Sequence, residues 1–165
     1  MPVSPEQTAQ VASLLGREPR GLEAVAVSAS DGAPMVIRVS ALVDGKPFPT
    51  LFWLVDSALC YRIDQAEAAG LIAQFQSRVD ADPGLQDAMR EDHLAYIRLR
   101  DEYMSGEVRQ ALAASGYEGV LARRGVGGIA DFSRIRCLHT WYGAHLVLPN
   151  TIGAMLDEWW AAQSA

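Results

Sequence analysis

An α+β fold, with a small N-terminal antiparallel sheet packed by several C-terminal helices, is predicted by three features. Short β-branched runs separated by Asp-Gly turns fill residues 23–55, apolar residues at helical spacing fill the rest, and no strand alternates with a helix. The 165 residues form one domain, 1–165, by length. The chain is half hydrophobic and 21% charged, an ordinary globular composition.

The first helix starts at Ser4. Pro5 suits its first turn, Gln7 completes a capping box, Val11, Leu14 and Leu15 give it an apolar face, and Gly16 ends it. Strands follow at residues 23–28 and 34–40, joined by Asp31-Gly32. Asp44-Gly45 is a second turn, leading into a buried strand over residues 47–55 that is entered through Pro47 and Pro49. Ser57 caps a helix carrying Leu59, Ile63 and Ala66 that stops near Gly70. Helices at 71–79 and 85–104 are separated by Asp82-Pro83, and a weaker one spans 108–115. Gly125 to Gly128 read as a loop. Helices at 132–148 and 151–162, divided by Pro149-Asn150, close the chain.

On a wheel of ~100° per residue, the 85–104 helix has an ordinary solvated face and an apolar stripe. Asp92, His93, Tyr96 and Arg100 fall on that stripe, where an acid, an imidazole and a guanidinium are costly unless paired. Two readings follow. Either they form a buried network bonded to backbone carbonyls, or they wall a pocket with His93 as acid/base and Arg100 as an anion clamp.

Four of thirteen arginines, Arg123, Arg124, Arg134 and Arg136, bracket the glycine loop, whose N–H groups at Gly127 and Gly128 attract anions if exposed. The loop is neither a Walker A motif nor a dinucleotide fingerprint, and no Gly-x-Ser-x-Gly elbow exists. Cys137 and His139 invite a metal reading. Residues two apart lie ~200° apart on a helix, so chelation by both requires the helix to begin after Cys137. Cys60, beside Leu59 and Ile63, reads as a buried thiol.

Segments 15–21 and 45–54, Asp92-His93 with Tyr96 and Arg100, Gly125 to Gly128, and Arg136-Cys137-Leu138-His139 together resemble the bacterial domain-of-unknown-function family 501. The resemblance implies a Cys-Pro pair where this chain has Ala29-Ser30, a second where it has Asp56-Ser57, and a further histidine where it has Trp141. It therefore implies a metal site reduced to Asp56, Cys137 and His139, with too few thiolates for an iron–sulfur cluster.

The function expected from these residues is a pocket that binds or transforms a small anionic metabolite. Its acid/base residues are Asp92, His93, Tyr96 and His139, and its anion contacts are Arg17, Arg100, Arg136, Gly127 and Gly128. The alternatives are a divalent metal ion held by Asp56, Cys137 and His139, or a partner-binding protein, such as a homodimer docked through Trp159 and Trp160. A net charge of −6 argues against nucleic acid and anionic membrane as partners. Residues 1–6 show no basic region followed by an apolar run, so a cytoplasmic protein is expected.

Overall fold

Ser4 caps the first helix, α1 (Pro5–Leu15), in the computed structural model, which describes residues 2–165. Its hydroxyl accepts from the Gln7 N–H while the Gln7 side chain accepts from the Ser4 N–H, completing the expected capping box. The chain then forms β1 (Leu22–Ser28), β2 (Pro34–Val39), β3 (Leu42–Val43), β4 (Lys46–Pro47) and β5 (Phe52–Leu54). The main sheet is antiparallel in the order β1-β2-β5, with Ile37 opposite both Val25 and Trp53. β3 and β4 form a separate hairpin across Asp44-Gly45, whose φ values of 52° and 73° fit a tight turn of the primed type.

The strand expected over 47–55 is shortened. Pro47 and Pro49 have no N–H to donate to a ladder, so only Phe52–Leu54 pairs with β2. Side chains of β2 alternate between two cores: Val36 faces the main one, while Ile37 and Val39 pack with Val11 of α1.

The helices are α2 (Ser57–Ala68), α3 (Leu71–Ala81), α4 (Pro83–Tyr103), α5 (Gly106–Ala114), α6 (Leu138–His145) and α7 (Thr151–Gln163). Trp141, Phe52, Ile63, Leu71, Met89, Ile152 and Leu156 form the centre of the main core, between β5 and helices α2, α3, α4, α6 and α7. The cap of α2 is Asp56 rather than Ser57: its Oδ1 accepts from the Leu59 N–H at 2.8 Å. Trp159 and Trp160 are both half-buried against the main core, so they do not form an exposed pair. No helix among the described residues is long and apolar enough to cross a membrane.

The largest departure from expectation lies at residues 132–148, where only Leu138–His145 is helical. Backbone groups that a longer helix would use are bonded elsewhere. The Ser133 N–H donates to Asp131 Oδ1, Gln76 of α3 bonds both Ser133 O and the Ile135 N–H, and the Trp141 indole donates to Ile135 O. Cys137 is consequently extended (φ −139°, ψ 123°) and sits at the position just before α6.

Arg100 of α4 is 1% exposed. Among the described residues it has no acidic partner. Its guanidinium donates to Pro49 O at 2.9 Å, to Arg124 O at 2.7 Å and to Leu121 O. These bonds tie the entry of β5 to the chain after α5. Arg100→Lys keeps the charge but loses the planar fork, leaving carbonyls unpaired in the core. The expected loss is about 2 kcal/mol, read as a lower urea midpoint at unchanged slope, and an unchanged midpoint would refute this role.

Candidate functional site

Each polar side chain of the α4 stripe bonds to backbone, while His93 Nε2 and Arg100 Nε are buried without a partner among the described residues. His93 is fully buried, stacked on Phe132 at 4.5 Å and edge-on to Trp141 at 4.9 Å, and its Nδ1 accepts from the Val126 N–H at 3.0 Å. Burial lowers its pKa to about 4, so the ring is neutral at physiological pH. The Tyr96 hydroxyl accepts from the Leu51 N–H at 2.6 Å, and burial pushes its pKa up to about 12. Asp92 accepts from the Thr151 N–H at 2.8 Å, at the start of α7, and burial raises its carboxyl above the usual range. With Arg100, these four side chains fasten loops to α4. A cavity touching Asp92 and Tyr96 measures only about 100 Å³.

The glycine loop is packed rather than open. A Cβ on Gly125 would lie 2.1 Å from His93 Nδ1. At Gly127 (φ 63°) it would meet Thr140 Oγ1 at 2.9 Å, and at Gly128 (φ 76°) Pro49 Cγ at 2.9 Å. The Gly128 N–H is already used, donating to Gly125 O at 3.0 Å. Arg136 is exposed at φ 65° and Arg17 lies on the far side of β2, on the rim of a separate cavity, so neither joins Arg100.

Cys137 and His139 do come together. Because α6 begins at Leu138, Cys137 Sγ lies 3.7 Å from His139 Nδ1. α2 supplies two carboxylates to the same imidazole: Glu67 Oε1 at 2.9 Å from Nδ1 and Asp64 Oδ1 at 2.8 Å from Nε2. The second Glu67 oxygen accepts from the Leu138 N–H at 3.4 Å. The bond to Cys137, with Glu67 and Asp64 beside it, raises the His139 pKa to about 9. Burial pushes the Cys137 thiol up, but the bonds from His139 and the Thr140 N–H outweigh it and hold the thiol below its ordinary value. Cys60, whose Sγ lies 3.7 Å from Leu54 O, is raised by burial and by Asp64.

The ligand atoms of Glu67, Cys137 and His139 all lie within 4.8 Å of one another. Asp56 and His93 are not in this group. Glu67 and Asp64 are the site residues that sequence reasoning missed. Their one signal is spacing: Cys60, Asp64 and Glu67 share a face of α2 at i, i+4 and i+7.

A family described as "Protein of unknown function (DUF501)" matches residues 25–158. The chain belongs to the DUF501 family. No curated protein and no solved structure matches it. The DUF501 match takes in α2 and α6, and so all four residues of the Asp64–Glu67–Cys137–His139 cluster.

His93 sets a pH dependence. Its pKa of about 4 in the folded state is below the unfolded value of about 6.5, so protonation favours unfolding. Its contribution to stability is complete above about pH 6.5 and is lost as pH falls through about 4. Imidazole ¹⁵N spectra should show a neutral Nε2–H tautomer at about pH 5. A ring that titrates near the ordinary histidine value of about 6.5 would refute the closed packing.

Proposed function

We propose that this protein binds a divalent metal ion of the zinc type through Glu67, Cys137 and His139. The observation that carries the reading is the approach of a thiol, an imidazole and a carboxylate to within 4.8 Å of one another. The Sγ–Nδ1 separation of 3.7 Å is close to the roughly 3.6 Å that zinc bond lengths and a tetrahedral angle require. Asp64 on Nε2 is the second support. A ligating histidine ordinarily donates its other N–H to a carboxylate, which fixes the tautomer, and the proton that Nδ1 shares with Glu67 in the metal-free protein is released when the ion binds.

A thiolate with one imidazole and one carboxylate suits zinc or a neighbouring transition metal rather than magnesium or calcium. Three protein ligands leave a coordination position for water or substrate, the arrangement of catalytic rather than structural zinc. The geometry favours this reading over an anion site around His93 and Arg100, whose bonds go to backbone. It also replaces Asp56 with Glu67 as the carboxylate donor, since Asp56 caps α2.

Cobalt titration of the reduced, metal-free protein tests this. The expected result is one equivalent bound, a thiolate-to-cobalt charge-transfer band, and a melting temperature that rises with metal. Cys137→Ser abolishes the band. Asp64→Asn keeps the band and weakens binding by about tenfold to a hundredfold. A protein that binds no stoichiometric cobalt or zinc would overturn the proposal.

A second reading rests on the Cys137–His139 contact alone: a thiolate–imidazolium pair acting as a nucleophile. It predicts alkylation of Cys137 by iodoacetamide much faster than of Cys60, undiminished by zinc. The metal reading predicts that zinc protects Cys137.

A further inference from the structure

A second concavity lies across the sheet, where α1, β2 and the β3–β4 hairpin meet, with a volume of about 530 Å³. Its floor is apolar. Ile37 and Val39 of β2 form one part, and Phe48 and Trp53 form another, their rings stacked 5.8 Å apart at 5°. Its rim is basic. Arg17 and Arg20 follow α1, and Lys46, the only lysine of the chain, lies in β4.

One acid reaches this rim. Asp44 pairs with Arg20 at 2.7 Å, which joins the turn after α1 to the hairpin and removes Arg20 from other service. Among the described residues no salt bridge engages Arg17 or Lys46. Two unpaired cations thus face one apolar cavity in a chain whose net charge is −6.

The two sides of the rim are held in place without a ligand. Gly21 (φ 68°) lies so close to the hairpin that a Cβ there would meet Val43 Cγ2 at 2.9 Å. The Ser40 N–H donates to Gly21 O at 2.8 Å, and Asp44-Gly45 turns tightly with positive φ at both residues. A preformed, mostly apolar cavity with a few convergent polar groups is the ordinary form of a small-molecule site, and the volume lies within the usual ~300–1,000 Å³. An anion placed here exchanges water for two cations, while its apolar part covers surface that otherwise stays wet.

We propose that this cavity binds a small organic anion. Its flat or aliphatic body lies against Ile37, Val39 and the Phe48–Trp53 pair, and its carboxylate, sulfonate or phosphate sits between Arg17 and Lys46. The site is independent of the metal proposal, since none of Glu67, Cys137 and His139 lines it. It accounts for residues in two segments singled out in the sequence, 15–21 and 45–54, whose basic members the metal cluster does not use.

The probe is anilinonaphthalene sulfonate, followed by fluorescence on the full chain, with uncharged phenylnaphthylamine as the comparison. The expected result is saturable binding of one equivalent that raises the melting temperature of the native protein. Arg17→Gln with Lys46→Gln weakens the sulfonate at least about tenfold and leaves phenylnaphthylamine unchanged. Arg78→Gln with Arg90→Gln makes the same charge change at exposed positions elsewhere and leaves both dyes unchanged. The proposal is overturned if the sulfonate fails to saturate, if both dyes respond alike to the first pair, or if the second pair weakens the sulfonate equally. Displacement of the sulfonate by hexaglutamate but not by naphthoate would instead mark an acidic-peptide site, and would also overturn it.

Discussion

A buried guanidinium with no carboxylate partner is the constraint on which the rest of this protein depends. Arg100 must bond to something in the core, and what it finds are the carbonyls of Pro49, Leu121 and Arg124. That choice pins the entry to β5 and the chain beyond α5 to the same point on α4. His93, two turns earlier, takes the Val126 N–H and holds the glycine loop against its ring. The path of residues 121–137 is therefore set by polar contacts made from a helix whose face is otherwise apolar.

The consequence reaches the cluster on α2. The chain beyond the glycine loop does not become helical at once, because Gln76 and Trp141 have taken the backbone groups of Ser133 and Ile135. α6 then starts at Leu138, and Cys137 stays extended. Only in that conformation do a thiol and an imidazole two residues apart point to one place. Glu67 of α2 meets them there, and Asp64 takes the other face of the ring. The α4 network bonds to backbone, and the geometry of the cluster rests on it.

The two candidate sites divide the charge of the molecule between them. Asp64 and Glu67 gather around His139, an electronegative setting suited to a cation. Arg17 and Lys46 face the cavity across the sheet, a setting suited to an anion. A net charge of −6 describes neither place. Long-range repulsion of polyanions is compatible with a local anion site because exposed charges are screened beyond about 8 Å at physiological salt.

Local chemistry was legible in the amino-acid order. The Ser4–Gln7 capping box, the Asp31-Gly32 and Asp44-Gly45 turns and the Asp82-Pro83 junction are decided by residues within three or four positions of one another, and each formed as read. So was the anomaly on α4, since an acid, an imidazole and a guanidinium on an apolar stripe announce themselves by period alone. The pairing of Cys137 with His139 was legible only as a condition on where α6 begins. What the sequence by itself determined, then, is the α+β class, most element boundaries and the presence of polar groups in the core. The tertiary structure decided the rest: that Gln76 from α3 interrupts a helix, that the polar stripe bonds to backbone N–H and C=O groups of distant loops, and that Glu67 and Asp64 complete the cluster. Those outcomes join residues from 21 to 75 positions apart, and no periodicity along the chain records which faces of which helices will meet.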